Sequence, residues 1–322
     1  MHANPFALDT ATPAPSAATQ PASRLPFAFA GAAVLAGLFL LLFGIAVTAR
    51  MLDEEQFASY LESLPVVLTY AIANLLLTGL AALLICRSYL ERHNLAGFSQ
   101  RNALLGLTLL LVTLFALVIG WGTSPLLGRL MQWSYDNLGS FDLGRLATEP
   151  LHWALFALGT LLPLWLSLHL LRRRGVPSAV PRHVAGWEPA LAFGLCFAVV
   201  CMKLLMLLPS SLINPYGAPW LSLLLASGTL IYGGIAFIAA LTGLPARLAR
   251  HNPGRLVWAA LLCLVMWLVA CVLAAAAVLL AALGNSDLVQ PPLFVVLSLG
   301  LLALIWPLTR LSLRWVYRAQ PA

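Results

Sequence analysis

The chain has 322 residues, of which 61% are hydrophobic and 9% charged, against roughly 25% charged in an ordinary soluble domain. So much apolar surface cannot be hidden in water, where a fold must cover its outside largely with polar groups; a soluble enzyme or binding domain is excluded. The formal charge of +7 does not mark a nucleic-acid partner, because the arginines cluster between apolar runs, the layout of topology signals rather than of a phosphate-binding face.

Residues 1–23 are rich in Pro, Ala, Thr and Ser and cannot bury a core, which predicts a disordered tail. The first apolar run, about 26–48, is too long for a signal-peptide core and reads as an uncleaved first span. Further spans are predicted at about 64–86, 103–122, 151–171, 189–208, 219–242, 256–283 and 292–311, each near the ~20 residues a bilayer requires. The expected fold is an all-α membrane bundle of eight transmembrane helices. Between spans, residues 51–63 form an acidic amphipathic stretch. Residues 124–150 carry Leu126, Leu127, Leu130, Met131 and Trp133 among polar neighbours, the pattern of a short helix lying in the outer interface.

Arginine placement sets the orientation. With the N-terminus in the cytoplasm, only Arg50, Arg129 and Arg145 fall outside, while Arg87, Arg172, Arg173, Arg174, Arg310 and the rest face inward. The acids lean the other way, with Asp53, Glu54, Glu55, Glu62, Asp136, Asp142, Glu149 and Asp287 outside. Both termini are therefore expected in the cytoplasm of a bacterial-type inner membrane.

The two halves, 24–174 and 175–322, resemble each other. Arg92-His93-Asn94 after span 2 matches Arg250-His251-Asn252 after span 6. In the fourth spans, Pro150, Leu158-Gly159, Trp165 and Arg173 match Pro291, Leu299-Gly300, Trp306 and Arg314 at a single offset. Four helices per unit is an even number, so a duplication leaves the copies parallel, related by a pseudo-two-fold along the membrane normal. Pro163 and Pro307 stand beside the matched tryptophans. Prolines at corresponding places are expected to interrupt both helices and to mark a midplane site, or simply to bend them for packing.

Lys203 is the sole lysine and lies inside span 5, roughly 21 Å from its cytoplasmic end at ~1.5 Å per residue. A buried ammonium is costly, so it is expected either to hold an anionic group or to snorkel to the outer interface on its long stem. Tyr70 and Asn74, with Thr78, share one face of span 2 and could line a path or act as interhelical hydrogen-bond glue. No acid falls well inside a span, Glu188 standing only at the mouth of span 5, which disfavours proton- or sodium-driven pumping. The five cysteines make no CxxC pair, and His152 and His169 bracket span 4 roughly 25 Å apart, too far to share a metal. No metal, haem or other cofactor is expected, and no catalytic residue stands out. His152 with Glu149, Asp142 and Asp136 could form an outer acid–base cluster, though such residues also suit a helix start.

Three functions fit these residues. One is a permease-like or channel-like protein for an anionic or amphipathic, even lipid, solute, with Lys203, Tyr70, Asn74, Pro163, Trp165, Trp306 and Pro307 at its site. The second is a non-catalytic subunit or scaffold that binds a protein partner or a second copy of itself through its helix faces. The third is a lipid-modifying enzyme acting at the outer face. In all three the lipid bilayer is the chief partner.

Overall fold

A computed structural model describes residues 20–21, 23–138, 141–178, 182–207, 219–244, 247–248, 253–284 and 291–317. It begins with a short strand β1 (Gln20–Pro21), followed by α1 (Leu25–Met51), α2 (Glu54–Arg92), β2 (Leu95–Phe98), α3 (Arg101–Leu138) and α4 (Phe141–Phe156). A π turn (Ala157–Leu161) joins α4 to α5 (Leu162–Leu170), and together they make the fourth span. After strands β3 (Gly175–Pro177) and β4 (Arg182–Ala185) come α6 (Trp187–Met206), α7 (Pro219–Gly243), β5 (Arg247–Leu248), α8 (Pro253–Gly284) and α9 (Pro291–Tyr317). Eight helical stretches among the described residues are long and apolar enough to cross a membrane. The chain is a polytopic membrane protein, because only helices that satisfy their own backbone hydrogen bonds tolerate lipid on so many sides.

Two connectors differ from the sequence expectation. Within the stretch 51–63, residues 54–63 are the first part of α2, capped by Asp53, whose carboxylate accepts a hydrogen bond from the Gln56 amide at 2.8 Å. The stretch 124–150 is no single helix between spans: α3 continues to Leu138 and α4 starts at Phe141, so it forms two helical arms. With 39 and 38 residues, α2 and α3 are each about 57 Å long, well beyond a ~30 Å hydrocarbon core. Hydropathy locates the apolar part of such helices, while helix propensity carries them on past it. The predicted disordered tail lies mostly outside the described residues, but Gln20–Pro21 pairs in parallel with Arg182–His183.

The buried core has two parts that share α2. One face of α2, with Ala82, Cys86, Tyr89 and Leu90, joins α1, α3 and α5 around Phe29, Leu104, Leu164 and Leu168. The adjacent face, with Leu80 and Leu83, joins α6, α7, α8 and α9 around Phe193, Phe197, Leu256 and Ile305. Within each half the order of packing is the same. The first helix lies on the second and third, the third lies on the fourth, and the second touches the fourth.

The closest crossings also correspond. In the second half α6 and α7 meet at Gly194 and Gly233, where a Cβ on Gly194 would stand 2.6 Å from the Gly233 carbonyl oxygen and 2.7 Å from Phe237 Cβ. In the first half α1 and α2 meet where a Cβ on Gly37 would stand 2.6 Å from Leu75 Cδ2 and one on Gly79 3.0 Å from Val34. Small residues allow such approach, and van der Waals packing then holds the helices together in lipid.

Burial is uneven along the helices. Within α1, α8 and α9 the buried residues lie at the end that carries the arginine clusters: up to Ala36 in α1, up to Leu264 in α8 and from Ile305 onward in α9. The apolar span of α3 behaves alike, with no buried residue between Val112 and Ser134. Only α2, α6 and α7 remain buried along most of their length, joined toward the other end by Ala73, Met202 and Ala226. The bundle is therefore closed at the arginine-rich end and splayed at the opposite one.

Strands fasten the closed end. β2 pairs antiparallel with β3, and β4 pairs antiparallel with β5, so the segment between the halves is tied by one strand to each. Asn94 ends α2 in the left-handed region at φ 49°, a conformation asparagine tolerates better than most residues, and Ser178 donates its amide to the Asn94 carbonyl at 2.8 Å. That accounts physically for the first Arg-His-Asn motif; the second lies outside the described residues.

Candidate functional site

α2 and α6 run antiparallel along the seam between the halves, and a polar contact sits near each end of it. Near the splayed end, Lys203 Nζ donates to Asn74 Oδ1 at 2.7 Å. The same ammonium lies 5.9 Å from the centroid of the Trp153 ring on α4, within cation–π range. Trp153 follows Glu149 by four residues, so both side chains project from one face of α4. Glu149 forms no ion pair with Lys203. Tyr70, one turn from Asn74 on α2, is 38% exposed, and Asn74 is exposed as well. Three helices from both halves thus converge on one half-buried ammonium.

Near the arginine-rich end of the same seam, Arg87 Nη2 donates to Glu188 Oε2. Both residues are buried, at 4% and 8% exposure, and this is the one ion pair among the described residues. Beside it the rings of Phe27 on α1 and Trp187 on α6 stack with centroids 5.1 Å apart. The contacts Asn74–Lys203 and Arg87–Glu188 are separated by 13 residues on α2 and 15 on α6, about 20 Å on either helix, as a single antiparallel register requires.

The predicted site residues therefore divide. Lys203, Asn74 and Tyr70 gather at the seam. Trp165 and Trp306 stand elsewhere, near the arginine-rich end. The Trp165 ring stacks on His169 at 4.8 Å, and the Trp306 ring carries the Arg310 guanidinium at 5.4 Å. Each covers a basic residue one turn further along its own helix, the behaviour of tryptophans anchoring a helix at a membrane interface. Pro163 is buried and follows the π turn, in which the Leu162 amide bonds to the Ala157 carbonyl; the fourth span is interrupted there. Pro307 is exposed, and α9 continues through it as α-helix, so the prolines beside the matched tryptophans do not interrupt both helices alike.

The outer acid–base cluster also changes character. His152 places Nδ1 3.0 Å from the Thr148 carbonyl of its own helix, an intrahelical contact. The side chain of Asp142 is outside the described residues. Among the described residues no three His, Cys, Asp or Glu side chains converge as a metal site would require.

Sequence reasoning overlooked Arg87, Glu188 and Trp153. Arg87 reads as one of the topology arginines and Glu188 stands at a span mouth, although opposite charges just inside two span ends are a signal for pairing. Trp153 had a fainter one, its spacing of four from Glu149 in a span start. Compared with known family models, characterised proteins and solved structures, the chain matches none.

Proposed function

We propose that this is a permease-like protein of a bacterial-type inner membrane that takes up an anionic or amphipathic solute, with Lys203 receiving the anionic group. The observation that carries this reading is the state of Lys203. Its ammonium is held within a span by a neutral amide, Asn74 Oδ1, and among the described residues no carboxylate pairs with it. A charge kept there at a cost of ~2.5–3.5 kcal/mol on insertion scales has donors left for a ligand.

Three further features support it. The repeated packing order and the corresponding glycine crossings favour a parallel 4+4 repeat, with the α2–α6 seam at the junction of its halves. On this reading a solute reaches Lys203 from the splayed end, while the buried Arg87–Glu188 pair closes the seam at the arginine-rich end. The excess of arginines at that end supports a cytoplasmic location for it and for both termini.

Reconstitution tests the reading. Uptake of a fluorescent anionic amphiphile into vesicles is expected to fall at least about tenfold in Lys203→Met, the loss of one desolvated charge-assisted contact, and partly to return in Lys203→Arg. Thermal unfolding in detergent should stay close to that of the natural chain. Full uptake by a folded Lys203→Met protein overturns the reading.

A further inference from the structure

We infer that the seat around Lys203 selects a zwitterionic headgroup, with a phosphate on Lys203 and an ammonium on the Glu149–Trp153 side; this rests on the reading that Lys203 binds an anion. Glu149 stands on the face of α4 that Trp153 turns to Lys203, and the two charges do not pair. Asn74 draws the ammonium toward α2, while Trp153 approaches it from α4. Left alone, a half-buried carboxylate and ammonium gain by closing into a salt bridge. An arrangement that holds them apart leaves room for a dipole whose ends complement both.

Glu149 repels a purely anionic headgroup, and Lys203 repels a purely cationic one. Either mismatch leaves one charge of the seat opposed, which is how charged sites discriminate among ligands. The indole of Trp153 adds a face suited to an alkylammonium, the best aromatic surface for a cation. Asn74 is exposed on the side toward α2, so a headgroup reaches the seat while its chains stay in the splayed, apolar end of the bundle. The ligand class is therefore a phospholipid with phosphate and ammonium two carbons apart, or the free headgroup of the same chemistry.

The test uses the full chain in detergent, phosphatidylethanolamine and phosphatidylglycerol with matched acyl chains, and native mass spectrometry at neutral pH. The natural chain is expected to retain the ethanolamine lipid about tenfold better, the size of one cation–π or charge contact. Glu149→Gln should bring the ratio close to one by improving phosphatidylglycerol retention, and Trp153→Leu should weaken the ethanolamine lipid alone. Lys203→Met should lose both. If Glu149→Gln leaves the ratio unchanged while Lys203→Met still loses both lipids, the zwitterion inference is wrong and the anion seat stands. If Lys203→Met retains both at natural levels, the inference and the proposed function both fall. Competition with O-phosphoethanolamine separates the sources: displacement means the headgroup alone is read, and persistence means the acyl chains are needed as well.

Discussion

Arg87 and Glu188 show how a buried charge pair behaves when lipid surrounds its helices. Removing one partner strands the other in an apolar seam, which typically costs about 3–5 kcal/mol, whereas replacing both by apolar groups of similar size is close to neutral. Arg87→Met alone and Glu188→Leu alone are therefore expected to lower the unfolding temperature in detergent sharply, and the double variant to recover most of it. A double variant as unstable as the singles would mean that the pair contributes specific stabilisation of its own. Arg87–Glu188 was legible in the sequence only as two opposite charges just inside span ends, and Lys203–Asn74 was not legible. Their partners lie 101 and 129 residues apart, and periodicity reports which face is apolar, never which distant face it meets. Lys203 and Asn74 were visible singly, as polar residues where lipid penalises polarity.

The spans were the readable part of the fold, because a bilayer imposes one length and one polarity on each of them. Where helices leave that constraint, as α2 does before Ser63 and α3 after Trp121, turn and interface signals proved weaker than the tendency of a helix to continue. Close crossings were hidden as well. Glycine is common in membrane helices, and nothing local separates Gly233 from Gly234, although an added Cβ would collide at the first and meet nothing within 4 Å at the second. Gly233→Ala is accordingly expected to destabilise the protein by about 1–3 kcal/mol, the usual cost of overpacking, and Gly234→Ala to have little effect. Equal unfolding temperatures for the two would remove the α6–α7 crossing from the account.

The molecule as a whole is two similar packings joined at α2, tied by strands at one end and separated at the other. Its orientation is open to direct labelling. In a chain freed of its five cysteines, Glu55→Cys is expected to react with a membrane-impermeant maleimide in intact cells. Ser99→Cys, beside the arginine run, should react only after permeabilisation. The opposite pattern would invert the bundle and direct the splayed end to the cytoplasm. The repeat expected from the sequence rests on four residue pairs at one offset, and those pairs sit in the fourth spans, away from the seam where the ammonium lies.

The seam also has a history during synthesis. Arg87 leaves the ribosome 101 residues before Glu188, and translation at about 5–20 residues per second makes that a wait of roughly 5–20 s. During that interval the first four spans carry an uncompensated guanidinium at a membrane edge, and the face of α2 that will meet α6 and α7 has only lipid or the insertion machinery against it. A nascent chain halted before residue 188 should consequently remain with the insertase or be degraded, and release should follow completion of α6. Folding order is thus written into this protein by which half of a charge pair is made first.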